Sequence, residues 1–236
     1  MAERLIPRDK SVIVAADVEL SKLDSLIKAT YEVEGIGGYK IGFGLGLRSL
    51  KMVASLVRET TDLPIIYDHQ KAGNDIPPMG AELVDVCKEA GINAVILFPF
   101  AGPATQEAWT KAAQDADLTV LVGGHMTHEK FLVSEGGYIT DDAPERIYHL
   151  GATLGVRNFV VPGNKTDFVQ RYRKLLEEIL GPENFDLYAP GFITQGGSIS
   201  ETAQVAGKKW HAIVGSGIYK AEDMRKAAEQ VTAQIR

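Results

Sequence analysis

The stretch PIIYDHQKAGNDIPPMGAELVDVCKEAGINAVILF, residues 64–98, contains one complete unit of the architecture. A short β-branched apolar run opens it, a charged loop follows, then an amphipathic helix pattern, then a second apolar run. Near-continuous apolarity over about five residues fits a strand buried on both faces, the situation of strands in a parallel sheet. The segment AELVDVCKEAG (residues 81–91) has helical spacing and ends in Gly, a common helix stop. A strand, a crossover helix and a second strand make a parallel βαβ unit.

The same alternation extends in both directions. Upstream lie SVIVAADV (11–18) and GGYKIGF (37–43); downstream lie LTVLVGG (118–124), NFVVP (158–162), DLYAPG (186–191) and HAIVGSG (211–217). Between them run helix patterns such as TQEAWTKAAQDA (105–116), APERIYHLGATLG (143–155) and DFVQRYRKLLEEILG (167–181). Eight strands and about eight helices, without a linker or a composition break, predict a single (β/α)8 TIM barrel with residues 1–236 as one domain. An open doubly wound sheet is the alternative, but it does not usually use eight evenly spaced units.

Composition narrows the function. The chain has 236 residues, 45% hydrophobic and 24% charged, the profile of a soluble globular protein. A net charge of −6 argues against nucleic acid as a partner, so an anionic ligand has to be held by local groups. The single cysteine, Cys87, excludes an internal disulfide and, within its helix pattern, reads as a small buried residue rather than a nucleophile. No signal peptide and no membrane span are expected, which places the protein in the cytoplasm.

In a barrel, chemistry collects at the C-terminal ends of the strands. The polar residues there are Asp17 after strand one, Lys40 within strand two, and Asp68, Lys71 and Asp75 after strand three. Thr127 and His128 follow strand five, Pro162 and Gly163 strand six, Gln195 strand seven, and Gly215 to Gly217 strand eight. Taken singly, each charge reads as a surface ion pair of little worth. Gathered at one mouth, alternating carboxylates and ammoniums keep one another ionised and set up a fixed field with a proton donor, without a metal. Gly196, Gly197, Gly215 and Gly217 lie after strands seven and eight, where many barrels bind phosphate, although ordinary turn glycines look the same. His125 and His128 are three apart but lack a carboxylate set with ligand spacing, so no metal site is expected.

These residues resemble the orotidine 5′-phosphate decarboxylase family over nearly the whole chain. The matching blocks are VIVAADV (12–18), YKIGF (39–43), DHQKAGNDIP (68–77), HMTHEKF (125–131), LGVRNFVVPGN (154–164), APGFITQGG (189–197) and VGSGIY (214–219), in order. The resemblance implies a cofactor-free decarboxylase of orotidine 5′-phosphate in pyrimidine synthesis. It implies that Asp17 and Lys40 hold ribose hydroxyls, that Asp68 sits beside the substrate carboxylate, and that Lys71 protonates the pyrimidine carbon. It implies a homodimer in which Asp75 reaches the partner's site. Thr127 stands where the family usually has Ser and is expected at the pyrimidine ring. Pro162 falls in a matched block and is expected at the substrate; Gln195, Gly215 and Ser216 are expected at the phosphate.

Two departures stand out. The family spacing Asp-x-Lys-x-x-Asp is lengthened here to Asp68-x-x-Lys71-x-x-x-Asp75. Positions three apart on a strand face opposite ways, so the chain is expected to bulge or turn at His69 and Gln70. Ser216 occupies the place of a phosphate-binding Arg, and losing a charge-assisted hydrogen bond costs about 1.5–3 kcal/mol, a factor of ten to a hundred. Lys165, Lys220 and Arg225 are the cations that would compensate, against a plainer reading of each as a solvated helix residue. Two alternatives keep the barrel: a Mg²⁺-dependent sugar-phosphate decarboxylase or hexulose-phosphate synthase, and a nucleotide-binding barrel without turnover.

Overall fold

Eight parallel strands pair in chain order and close on themselves, β1 against β8, from Lys10 opposite Trp210 to Val14 opposite Val214. This computed structural model describes residues 4–69, 72–193 and 195–235. The strands are β1 (Lys10–Ala15), β2 (Ile36–Gly42), β3 (Ile65–Asp68), β4 (Ala94–Leu97), β5 (Thr119–Gly123), β6 (Asn158–Val160), β7 (Asp186–Ala189) and β8 (Trp210–Val214). The helices are α1 (Leu20–Thr30), α2 (Phe43–Arg58), α3 (Met79–Glu89), α4 (Pro103–Asp115), α5 (Ala143–Thr153), α6 (Thr166–Leu180), α7 (Ile199–Val205), α8 (Ser216–Tyr219) and α9 (Met224–Ala233). The expected (β/α)8 barrel is therefore present. The connection after β8 carries two helices rather than one, and α8 is too short for a periodic sequence signal.

The two-residue period of each strand sorts its side chains into two cores. Ile13, Ile66, Ile96, Leu121, Val160 and Ile213 point inward and pack together inside the barrel. Their neighbours Val12, Tyr67, Val95, Val120, Phe159 and Val214 point outward into the layer beneath the helices. Both faces are dry, which explains why the strands read as unbroken apolar runs. Cys87 is fully buried on α3, where burial pushes its thiol up to about 12, so it carries no thiolate at neutral pH.

At the N-terminal end the barrel is plugged by Ile6 and sealed by polar contacts. Arg4 pairs with Asp186 and Asp9, and His211 lies between Ser11 (Oγ to Nδ1, 2.8 Å) and Asp186 (Nε2 to Oδ1, 3.4 Å). Ser11, His211 and Asp186 follow the residue order of a nucleophile triad, but with the ring reversed, the hydroxyl on Nδ1 and the carboxylate on Nε2. With Ser11 and His211 fully buried at the closed end, no substrate reaches them, and the contact is structural. Among the described residues no helix is long and apolar enough to cross a membrane.

Candidate active site

At the opposite end the strands surround a cavity of about 420 Å³, within the range of small-ligand sites. Asp17, Lys40, Asp68, Thr127, Gln195, Gly215 and Ser216 all stand on its wall. Lys40 lies inside β2, two residues before the strand ends, so its ammonium rises into the mouth rather than out to solvent. It donates to both carboxylate oxygens of Asp17 at 3.3 Å and to Asp68 at 3.2 Å. Burial pulls the Lys40 ammonium down, but the charges of Asp68 and Asp17 and the hydrogen bonds to both outweigh it and hold it above its ordinary range. Gly42 makes the arrangement possible, since a Cβ there would come within 2.4 Å of the Asp17 carboxylate.

Lys71, the expected proton donor, lies outside the described residues. Asp75 is exposed and does not line the cavity of its own chain; it accepts from the N–H of Ile76. Pro162 is buried, and its carbonyl accepts from Lys165 N–H, closing the turn into α6.

Two of the glycines after β7 and β8 allow close packing. A Cβ at Gly217 would meet Ile193 at 2.1 Å, and one at Gly197 would meet the Gly191 carbonyl at 2.6 Å. The loop after β7 thus rests on the loop after β8.

A network that the sequence did not reveal supports the far wall. His125 lines the cavity, and both of its ring nitrogens are engaged, Nδ1 with the Tyr172 hydroxyl (2.8 Å) and Nε2 with Lys165 (3.0 Å). Burial, then the Lys165 charge, lowers His125 to about 4, so the ring is neutral; Lys165 donates to Nε2 and Nδ1–H donates to Tyr172. Lys165 also donates to Glu135 at 2.7 Å, and Glu135 accepts the N–H groups of Phe131 and Leu132. Burial acts to raise Glu135, but these bonds hold it below its ordinary value. Asn164 adds a second tie, donating to the carbonyls of Thr127 (3.0 Å) and Gln195 (3.4 Å). Asn164 and Lys165 come from the loop after β6 and Glu135 from the connection after β5, so no single local motif announces them.

This network settles where the three candidate cations go. Lys165 is a half-buried partner of Glu135, not a solvated helix residue. Lys220 is exposed off the wall, and Arg225 pairs with Glu32 and Glu229. Among the described residues on the wall, Lys40 supplies the single ammonium and none is Arg. The gap between the carboxylates of Asp17 and Asp68 is filled by that ammonium.

The "Orotidine 5′-phosphate decarboxylase / HUMPS family" pattern matches residues 10–231. The orotidine 5′-phosphate decarboxylase of Methanosarcina barkeri is 30% identical over 228 residues, covering 96% of this chain and 95% of that one. The Methanosphaera stadtmanae enzyme of the same name is 29% identical over 229 residues, covering 95% and 97%. Among solved structures, orotidine 5′-monophosphate decarboxylase from Methanocaldococcus jannaschii complexed with the inhibitor BMP superposes with a TM-score of 0.83 at 17% identity, covering 97% of this chain and all of that one. The Pyrococcus horikoshii enzyme gives 0.77 at 24% identity, covering 95% and 99%. At these identities the two structures establish the fold.

Proposed function

This chain belongs to the Orotidine 5′-phosphate decarboxylase / HUMPS family, and from that premise we propose that it converts orotidine 5′-phosphate to UMP and CO₂ in de novo pyrimidine synthesis, without a cofactor. The observation that carries the reading is the Asp17–Lys40–Asp68 array at the mouth of the barrel. Breaking the bond to the carboxylate leaves its electron pair on a pyrimidine ring carbon that has no cofactor to delocalise it. A preorganised ammonium stabilises that charge as it develops and then supplies the proton. Lys71 is the donor. Asp68 faces the departing carboxylate and favours the charged form of the lysines.

The remaining wall residues bind the rest of the nucleotide. Asp17 and Lys40 take the ribose hydroxyls, Thr127 the pyrimidine ring, and Gln195, Gly215 and Ser216 the phosphate. Binding energy from the phosphate, remote from the reacting carbon, contributes to stabilising the transition state. The working form is a homodimer in which Asp75 enters the partner's array. Its exposure, beside Ile76 at 61%, suits a residue on a contact face.

The test is loss of orotidine 5′-phosphate absorbance in excess chelator. Turnover unchanged by chelator supports the reading; turnover abolished by chelator and restored by Mg²⁺ moves it to the metal-dependent sugar-phosphate chemistry of the wider family. With Lys40 already between Asp17 and Asp68, chelator is expected to have no effect. A second expected result concerns Ser216. Ser216→Arg should raise kcat/KM for orotidine 5′-phosphate by about ten- to a hundredfold through a charge-assisted contact to the phosphate. An unchanged or lower kcat/KM would show that the phosphate is held by other groups.

A further inference from the structure

We propose that Asn164 is a positioning residue that ties the loop after β5, which carries Thr127, to the loop after β7, which carries Gln195, so that the two are held as one unit. Its kinetic consequence rests on the decarboxylase reading, in which Thr127 meets the pyrimidine ring and Gln195 the phosphate. Both residues line the cavity, but β5 and β7 are not neighbours, and β6 lies between them. Asn164 stands in the turn that leaves β6. Its Nδ2 donates to the Thr127 carbonyl at 3.0 Å and to the Gln195 carbonyl at 3.4 Å. Both acceptors are carbonyls, so the amide must present its nitrogen to them. Its Oδ1 is left buried without a hydrogen-bond partner among the described residues. A buried polar atom left unpaired is uncommon, and here it accompanies the two bonds that Nδ2 makes.

The backbone that carries this amide is fixed on both sides. Gly163 N–H donates to the Pro190 carbonyl at 2.8 Å, the Gly163 carbonyl accepts from the Thr202 hydroxyl at 2.8 Å, and Lys165 N–H donates to the Pro162 carbonyl at 2.9 Å. The loop after β7 folds closely around it. Gly197 N–H donates to the Gly191 carbonyl at 3.1 Å, and Ile193 N–H to the Gly197 carbonyl at 3.2 Å. A Cβ at Gly197 would lie 3.0 Å from Asn164 Cα; one at Gly191 would lie 3.0 Å from Asn164 Oδ1 and 2.9 Å from the Thr127 methyl. Gly191 also has φ of +106°, a conformation glycine adopts without strain. Thr127 is therefore held at its carbonyl by Asn164 and at its methyl by Gly191. Small displacements of groups that contact the substrate decide rate, and side chains fixed by hydrogen bonds to a rigid support prevent them.

The experiment compares Asn164→Ala and Asn164→Asp with the parent protein, and repeats Asn164→Ala in Thr127→Ala and Gln195→Ala backgrounds. Asn164→Asp keeps the shape and loses both N–H donors, so it separates the hydrogen bonds from the packing. Both variants should lower kcat/KM for orotidine 5′-phosphate by about ten- to a hundredfold. In each background one of the two contacts that Asn164 aligns is already gone, so Asn164→Ala should there have a several-fold smaller effect than in the parent. Alongside, amide hydrogen exchange in peptides covering residues 125–131 and 191–197 should quicken by about tenfold in both Asn164 variants, with β1 and β2 unchanged. Asn164→Asp indistinguishable from the parent, equal losses in all three backgrounds, unchanged exchange in the two loops, or exchange quickened equally in β1 and β2 overturns the inference. If the parent protein is inert towards orotidine 5′-phosphate, the decarboxylase reading fails, and the exchange alone decides whether Asn164 joins the two loops.

Discussion

Lys71→Ala is expected to abolish decarboxylation, lowering kcat by about four orders of magnitude or more, while the barrel unfolds at an unchanged temperature. The size follows from the two roles placed on one ammonium. Proton donation by a positioned acid contributes roughly 10²–10⁴-fold. Electrostatic stabilisation of developing charge by one preorganised donor contributes roughly 10²–10³-fold. Such effects do not add fully, which sets the expectation near the upper end of either alone. The fold does not depend on Lys71, because both cores are built from apolar residues on the strands and helices. Steady-state kinetics with a melting curve checks both halves. Activity within about tenfold of the parent would remove Lys71 from the role of acid.

Lys40→Met should be nearly as damaging to catalysis and, unlike Lys71→Ala, should also cost stability. Lys40 is the ion shared by Asp17 and Asp68, and removing it leaves two carboxylates facing each other at the mouth. Asp68 is only 8% exposed, so water replaces the ammonium poorly there, whereas Asp17 is exposed and loses less. A stability loss of about 2–3 kcal/mol is expected, at the low end for a broken buried pair because of the exposure of Asp17. The ribose contact and the field both go, so kcat/KM should fall by about a thousandfold. A variant that keeps its melting temperature and stays within about threefold in kcat/KM would show that Lys40 is a solvated bystander.

What the sequence disclosed follows from what burial leaves visible. Strands covered on both faces must be apolar throughout, so all eight were legible as runs, and their even spacing closed the barrel. Asp17, Lys40 and Asp68 were legible for the converse reason: charges at the ends of apolar runs are costly unless they pair, and they do. Elements without a local pattern were missed. The four residues of α8 are fewer than the helical period needs, and α2 is broken at Ser49, which has φ −179° and ψ 101° and whose hydroxyl accepts from Met52 N–H. The ties through Lys165 to His125 and Glu135 join residues 40 and 30 positions apart, a distance over which no spacing rule operates.

The central claim is that this chain carries out the decarboxylation itself, and direct product analysis tests it most plainly. Purified protein is incubated with orotidine 5′-phosphate labelled at the carboxylate, with excess chelator present, and the trapped CO₂ and the nucleotide product are measured together. The account predicts UMP and CO₂ in equal amounts over many turnovers per chain. Orotidine 5′-phosphate recovered intact, with neither product formed, would contradict it.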